Sequence, residues 1–231
     1  MAKAAKAPAA SPVRIGVVGH GVVGSAFTAL VARQADTIAA RTGIALTVAR
    51  IAVRDAAKHP GMVGDARVGT DPLAVATAND VDLVVEVMGG TTVAGEVVRA
   101  ALESGKPVVT ANKALLAARS AELFKIADER GIDLLFEAAV CGGIPLIRPL
   151  RESLRGEPIR RVLGIVNGTT NYILTKMTED GLDYATALRG AQTLGYAEAD
   201  PTADVEGHDA AAKIAIIANF AFGVHVVADD V

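Results

Sequence analysis

The chain carries a single cysteine, Cys141, and no tryptophan, and aromatic residues make up only 3% of its 231 residues. A lone cysteine excludes a disulfide-stapled scaffold. So few aromatic rings leave no platform on which nucleic-acid bases would stack. Neither sign of charge dominates: 23 Lys and Arg stand against 26 Asp and Glu, for a net charge of -3. Without a basic face, nucleic-acid binding has no electrostatic support. The longest apolar run, residues 214–228, is broken by Asn219 and His225. It falls short of the ~20 residues a membrane span needs. The opening MAKAAKAPAASP has two lysines but no apolar core, so residues 1–12 read as a loose tail and not as a secretory signal. What is present is 51% hydrophobic, mostly Ala, Val, Ile and Leu, with 23 glycines along the chain. That is ample for a buried core and wrong for disorder. The default is a soluble cytoplasmic α/β protein.

Short β-branched runs alternate with Ala-rich stretches of helical length. Strands are expected over 13–18, 44–53, 81–87, 108–110 and 132–138, and helices over 22–41, 93–103 and 111–130. Residues 54–71, with Pro60, Gly61, Gly64 and Gly69, read as loop with at most a short helix. The alternation implies right-handed crossovers and a parallel sheet, so 13–140 reads as a Rossmann-type dinucleotide-binding domain. After Cys141-Gly142-Gly143 the pattern changes. A short helix (145–154), a strand (160–166) and three helices (170–179, 184–194, 207–222) describe a smaller α+β unit over 141–231.

Gly19-His20-Gly21-Val22-Val23-Gly24 fits G-x-G-x-x-G between an expected strand and an expected helix. Gly19 permits the tight turn, Gly21 lets a pyrophosphate approach the backbone, and Gly24 lets helix and strand pack closely. The helix start at Val22 and Val23 offers free N–H groups to phosphate. At the end of the second strand stands Arg54, with Lys58 one turn on and Asp55 adjacent. Two readings stand for this pair: a 2′-phosphate site, favouring NADP with NAD also in use, or ordinary surface charges. Met88-Gly89-Gly90-Thr91-Thr92 closes the third strand. It is either an approach for the nicotinamide ribose, through Gly90 and Thr91, or a plain strand-to-helix turn.

Residues 191–213 hold Glu198, Asp200, Asp204, Glu206 and Asp209, followed by Lys213. Asp209 and Lys213 are four apart and share one helix face. The bland reading is an acidic loop with a surface ion pair. The sharper one is a site for a small amino acid, with carboxylates for its ammonium group and a lysine, oriented by Asp209, to move a hydroxyl proton. Lys113 sits where a helix starts, a position that disfavours a cation. It is either solvated or placed there to meet a substrate or polarised carbonyl.

These residues resemble the homoserine dehydrogenase family. The likeness runs from about Val13 to the end of the chain. Its most specific part is Ala191, Gly195-Tyr196-Ala197, Asp200-Pro201, Asp204-Val205-Glu206-Gly207-His208-Asp209 and Lys213. Thr110-Ala111-Asn112-Lys113, the stretch from Glu137 to Pro145, and Val166-Asn167-Gly168-Thr169-Thr170-Asn171 add to it. The resemblance implies NAD(P)-dependent interconversion of L-homoserine and L-aspartate 4-semialdehyde, in threonine, methionine and isoleucine synthesis. It implies Lys213 as proton donor and acceptor, Glu198 and Asp209 as homoserine ligands with Asp204 in support, Lys113 near the reacting carbon, and Gly195 as a nucleotide contact. It also implies a monovalent cation such as sodium at Glu137, Val140, Gly142 and Ile144, whose oxygen donors suit a hard ion, and a homodimer. Family members continue well past this length, so 141–231 is expected to be an incomplete catalytic domain. Two alternatives stand beside the enzyme: a non-catalytic NADP-binding fragment or regulatory module, and a related dehydrogenase of another amino acid.

Overall fold

The alternating pattern folds as a doubly wound parallel sheet. The computed structural model describes residues 11–58 and 66–231. Strand β1 (Ser11–Val18) runs into helix α1 (Val22–Thr42), which Gly43 ends in the left-handed conformation. Then come β2 (Ile44–Ala52), β3 (Arg67–Gly69), α2 (Pro72–Ala76), β4 (Leu83–Glu86) and α3 (Thr92–Glu103). The unit finishes with β5 (Val108–Thr110), α4 (Lys113–Arg130) and β6 (Leu134–Leu135). All neighbours pair in parallel, in the order β3-β2-β1-β4-β5-β6. The chain reverses its direction of travel between β1 and β4, and there such sheets open a crevice at the carboxyl ends of the strands. Ile15, Val17, Ile51 and Val85 fill one side of the core with aliphatic volume. One aromatic pair, Phe124 and Phe136, meets edge to face at 5.4 Å.

The helix starts follow local chemistry. Asp71 caps α2 by accepting from the N–H groups of Leu73 and Ala74, and Pro72 sits in the first turn, where no N–H is needed. Asn112 caps α4 by accepting from Leu115 N–H at 3.1 Å. Three expectations shift. β1 starts at Ser11, which takes Ser11 and Pro12 out of the expected tail; residues 1–10 lie outside the described residues. β3 lies within the stretch expected as loop: three residues are too few to show a period, and pairing with β2 makes them a strand. The strand expected over 132–138 shrinks to β6, because Glu137–Ala139 turns into a 3-10 helix.

The chain divides into two compact units, one of Met1–Leu115 with Arg119–Phe136, the other of Leu116–Ala118 with Glu137–Val231. The second holds a short π-helical segment, Pro149–Ser153, then α5 (Gly168–Glu179), α6 (Tyr184–Thr193), α7 (Thr202–Val205) and α8 (His208–Phe222). Here the α+β expectation is corrected. Among the described residues this unit contains no strand. Residues 160–166 have no ladder, and Leu163 and Ile165 are 82% and 71% exposed. A β-branched run becomes a strand only where neighbouring backbone completes its hydrogen bonds. Among the described residues no helix is long and apolar enough to cross a membrane.

Candidate active site

The glycine turn between β1 and α1 is built as its sequence requires. Gly19 has φ +95°, and a Cβ there would run into the backbone of Val87 and Met88. A Cβ on Gly24 would collide with the Gly19 carbonyl oxygen. Gly21, by contrast, faces open space, with nothing within 4 Å of a Cβ built on it. Gly21 is also the N-cap of α1, and no side chain caps that helix or puts an acid in its first turn. The N–H groups at Val22, Val23 and Gly24 are thus left for an anion. Beside the turn lies a cavity of about 570 Å³, lined by Gly19, His20, Gly21, Ala52, Arg54, Asp55, Thr70 and Met88 among others. Its size is that of a ligand site. Arg54 is exposed on its wall; the Lys58 side chain lies outside the described residues.

A buried carboxylate shapes the neighbouring edge. Glu86, at the end of β4, is 0% exposed. It accepts from Thr110 Oγ1 at 2.6 Å, and from the N–H groups of Met88 and Gly89 at 2.9 and 3.3 Å. Thr110 Oγ1 in turn accepts from Asn112 N–H, and Asn112 Nδ2 donates to the Gly90 carbonyl at 2.7 Å. This network holds the Gly89-Gly90 turn, in which both glycines have positive φ, and the start of α4. Lys113, half-buried, is the first residue of that helix, and Gly90 and Thr91 stand exposed on the turn. Sequence reasoning missed Glu86; an acid within the run VDLVVEV was the available signal.

In the second unit the structure gathers Asp204, Asp209 and Lys213. Asp204 stands on α7, and α8 carries Asp209 and Lys213 one turn apart. Lys213 Nζ donates to Asp209 Oδ2 at 2.6 Å and to the Val166 carbonyl at 2.5 Å. The pair is largely buried, with side chains 17% and 11% exposed. The bland reading of an exposed surface pair does not describe it. Asn167, which sequence reasoning placed only within a motif, joins in: its Nδ2 donates to Asp204 Oδ1 at 2.7 Å and to Asp209 Oδ2 at 2.9 Å. Glu198 lies outside this network. It is exposed on the loop after α6, where its main-chain carbonyl accepts from Gln192. Gly195 has φ +78° at the end of α6, where such a glycine terminates a helix. The loop it opens is fastened by Thr169 Oγ1, which donates to the Tyr196 carbonyl at 2.6 Å.

The cation residues have other partners. Glu137 Oε1 accepts from the N–H groups of Leu146 and Ile147 at 2.7 and 3.0 Å, and Oε2 accepts from Arg148 N–H at 2.7 Å. Both oxygens of this carboxylate thus serve the start of a helix. Val140 is wholly buried, and Gly142 and Ile144 are exposed on the turn that Ile144 N–H closes to the Cys141 carbonyl. Among the described residues no three His, Cys, Asp or Glu side chains are placed to hold a metal ion.

Comparison with known proteins agrees with both halves of this picture. A family model described as "Homoserine dehydrogenase, NAD binding domain" matches residues 19–137, and one described as "Homoserine dehydrogenase" matches residues 145–231. The homoserine dehydrogenase of Corynebacterium glutamicum is 53% identical over 221 residues, which are 96% of this chain and 50% of that protein. The chain therefore spans about half the length of the curated relatives it matches. A crystal structure of a homoserine dehydrogenase from Thiobacillus denitrificans superposes with a TM-score of 0.87 at 42% identity, covering 95% of this chain and 51% of that one. A hyperthermophilic archaeal homoserine dehydrogenase in complex with NADPH superposes with a TM-score of 0.80 at 32% identity, covering 93% of this chain and 71% of that one. With the nucleotide turn in the first unit and the acid–lysine network in the second, the chain belongs to the homoserine dehydrogenase family.

Proposed function

We propose that the chain catalyses the reversible NADP-dependent interconversion of L-homoserine and L-aspartate 4-semialdehyde, in the biosynthesis of threonine, methionine and isoleucine. The observation that carries this reading is the buried Asp209–Lys213 pair with Asp204 brought to it by Asn167. The residues that would hold the nucleotide are the N–H groups following Gly21, the wall at Arg54, and the Gly90-Thr91 turn with Lys113 beyond it. Bound there, the nicotinamide supplies a hydride acceptor or donor.

The second unit's residues do the proton work. An ammonium group has three N–H bonds. Lys213 spends one on Asp209 and one on the Val166 carbonyl, so the third remains for a substrate oxygen. In the reducing direction that N–H gives its proton to the aldehyde oxygen; in the oxidising direction Nζ takes the hydroxyl proton back. Asp204 and Asp209 supply negative charge for the substrate ammonium, with Glu198 on the adjoining loop as a further ligand. A homodimer, carried by the family resemblance, and a cytoplasmic setting, expected from the composition, go with this reading. The test follows NADPH absorbance with aspartate semialdehyde. Lys213→Ala is expected to lower kcat by about 100-fold or more, with NADPH affinity unchanged. An unchanged kcat overturns the role of Lys213. NADPH binding without turnover by the unaltered chain supports the non-catalytic alternative.

A further inference from the structure

Asn167 belongs to a motif whose part in the chemistry the proton mechanism leaves unassigned. It is 8% exposed and stands immediately before α5. Its amide is used at every position. Oδ1 accepts from Thr170 N–H at 2.8 Å and from Thr170 Oγ1 at 2.9 Å, which caps the helix. Nδ2 has two hydrogens, one for Asp204 and one for Asp209. The carbonyl just before it, that of Val166, receives Lys213. Residues 166 and 167 thus grip both members of the acid–lysine pair and the second acid together.

Physical chemistry gives this grip a purpose. Two carboxylates brought to one place repel each other. They stay together only if a donor or a cation lies between them. Lys213 reaches Asp209, and the Asn167 amide is bonded to both acids. Lys213 already offsets one of the two carboxylates, and a neutral donor between them leaves the remaining negative charge for a cationic ligand. A lysine or arginine in place of Asn167 would cancel that charge as well.

We infer that Asn167 is a positioning residue: it holds Asp204 and Asp209 as one ammonium-binding pair and, with the Val166 carbonyl, fixes the direction of Lys213. This rests on the proposed dehydrogenase reading and deepens it. Capping and positioning separate cleanly. Asn167→Ser keeps a good N-cap acceptor but loses the donor to the acids, whereas Asn167→Ala loses both. The Ser variant is therefore expected to melt closer to the unaltered chain than the Ala variant. Both variants should nevertheless show the same kinetic defect: KM for homoserine raised about tenfold and kcat lowered about tenfold, as for the loss of a bond to a charged group, with NADPH affinity within twofold. If the Ser variant recovers kinetics along with melting temperature, Asn167 is a helix cap alone and the proposal fails.

A second readout needs no turnover. In 15N-labelled chain the two Asn167 side-chain amide protons should exchange with solvent at least tenfold more slowly than those of exposed Asn79, and Asp204→Ala should speed one of them. Exchange as fast as at Asn79 overturns the proposal. Slow exchange in a chain that oxidises no homoserine overturns the dehydrogenase reading and leaves the positioning of the acids standing.

Discussion

Arg54 stands just past the end of β2, on the wall of the nucleotide cavity. An acid at that place would bond a free ribose 2′-hydroxyl; a guanidinium instead matches a 2′-phosphate with paired N–H groups. Arg54→Ala is expected to weaken NADPH by about tenfold, the loss of a charge-assisted contact, and to leave NADH nearly unchanged. Titration of each nucleotide by fluorescence decides it, and equal losses contradict the 2′-phosphate assignment. Single residues of this kind were legible in the sequence where chemistry depends on local spacing. The glycines at 19, 21 and 24 carry their meaning within six residues, and Asp209 with Lys213 within one helical turn. Asn167 was not legible as a site residue, because its partners lie 37 and 42 residues away and only folding brings them near. The partners of Glu137 were hidden for the same reason: the N–H groups it accepts from are supplied nine to eleven residues later, in a helix start.

At the scale of elements, the junctions at the carboxyl ends of β4 and β5 are tied together by one buried side chain. Glu86 joins the turn after β4 to Thr110 at the end of β5, and Asn112 passes the connection to the start of α4. Glu86→Ala strands the Met88 N–H and the Thr110 hydroxyl in a buried site and leaves a cavity. The expected cost is about 3 kcal/mol, from unsatisfied partners and lost packing together. Urea unfolding measures it, and a loss below about 1 kcal/mol would show that the turn keeps its shape without the acid. Long elements were legible in advance: α1 and α3 fall within a residue or two of where their patterns put them. Of the three-residue strands, β5 was legible and β3 was not. β3 is a strand through its neighbour β2, and 160–166 fails to be one for want of a neighbour among the described residues.

At the scale of the molecule, the first unit's sheet carries a second set of polar bonds at the other ends of its strands. Arg14 binds Asp82 through Nε and Nη2 at 2.9 and 2.6 Å, and Asp80 pairs with Arg50 and Arg67. The Arg14 hydrogen bonds hold the Asp82 carboxyl down to about 2. Unfolded, the same group takes up its proton near ~3.9. The folded state therefore binds that proton less readily. The stabilisation is complete above about pH 4, shrinks as pH falls, and is lost below about pH 2. Asp82→Asn should lower stability at pH 7 and converge with the unaltered protein near pH 2. Denaturation curves over that range check it, and a gap that persists at pH 2 would mean the pair is not its source. Arg14 and Val18 sit on one strand, about 13 Å apart at the usual rise per residue. The far end of that strand opens onto the nucleotide turn, and the near end is fastened by charge. At that separation substitutions combine without interfering. Selection can therefore tune acid tolerance at one end while leaving coenzyme choice at the other free to drift.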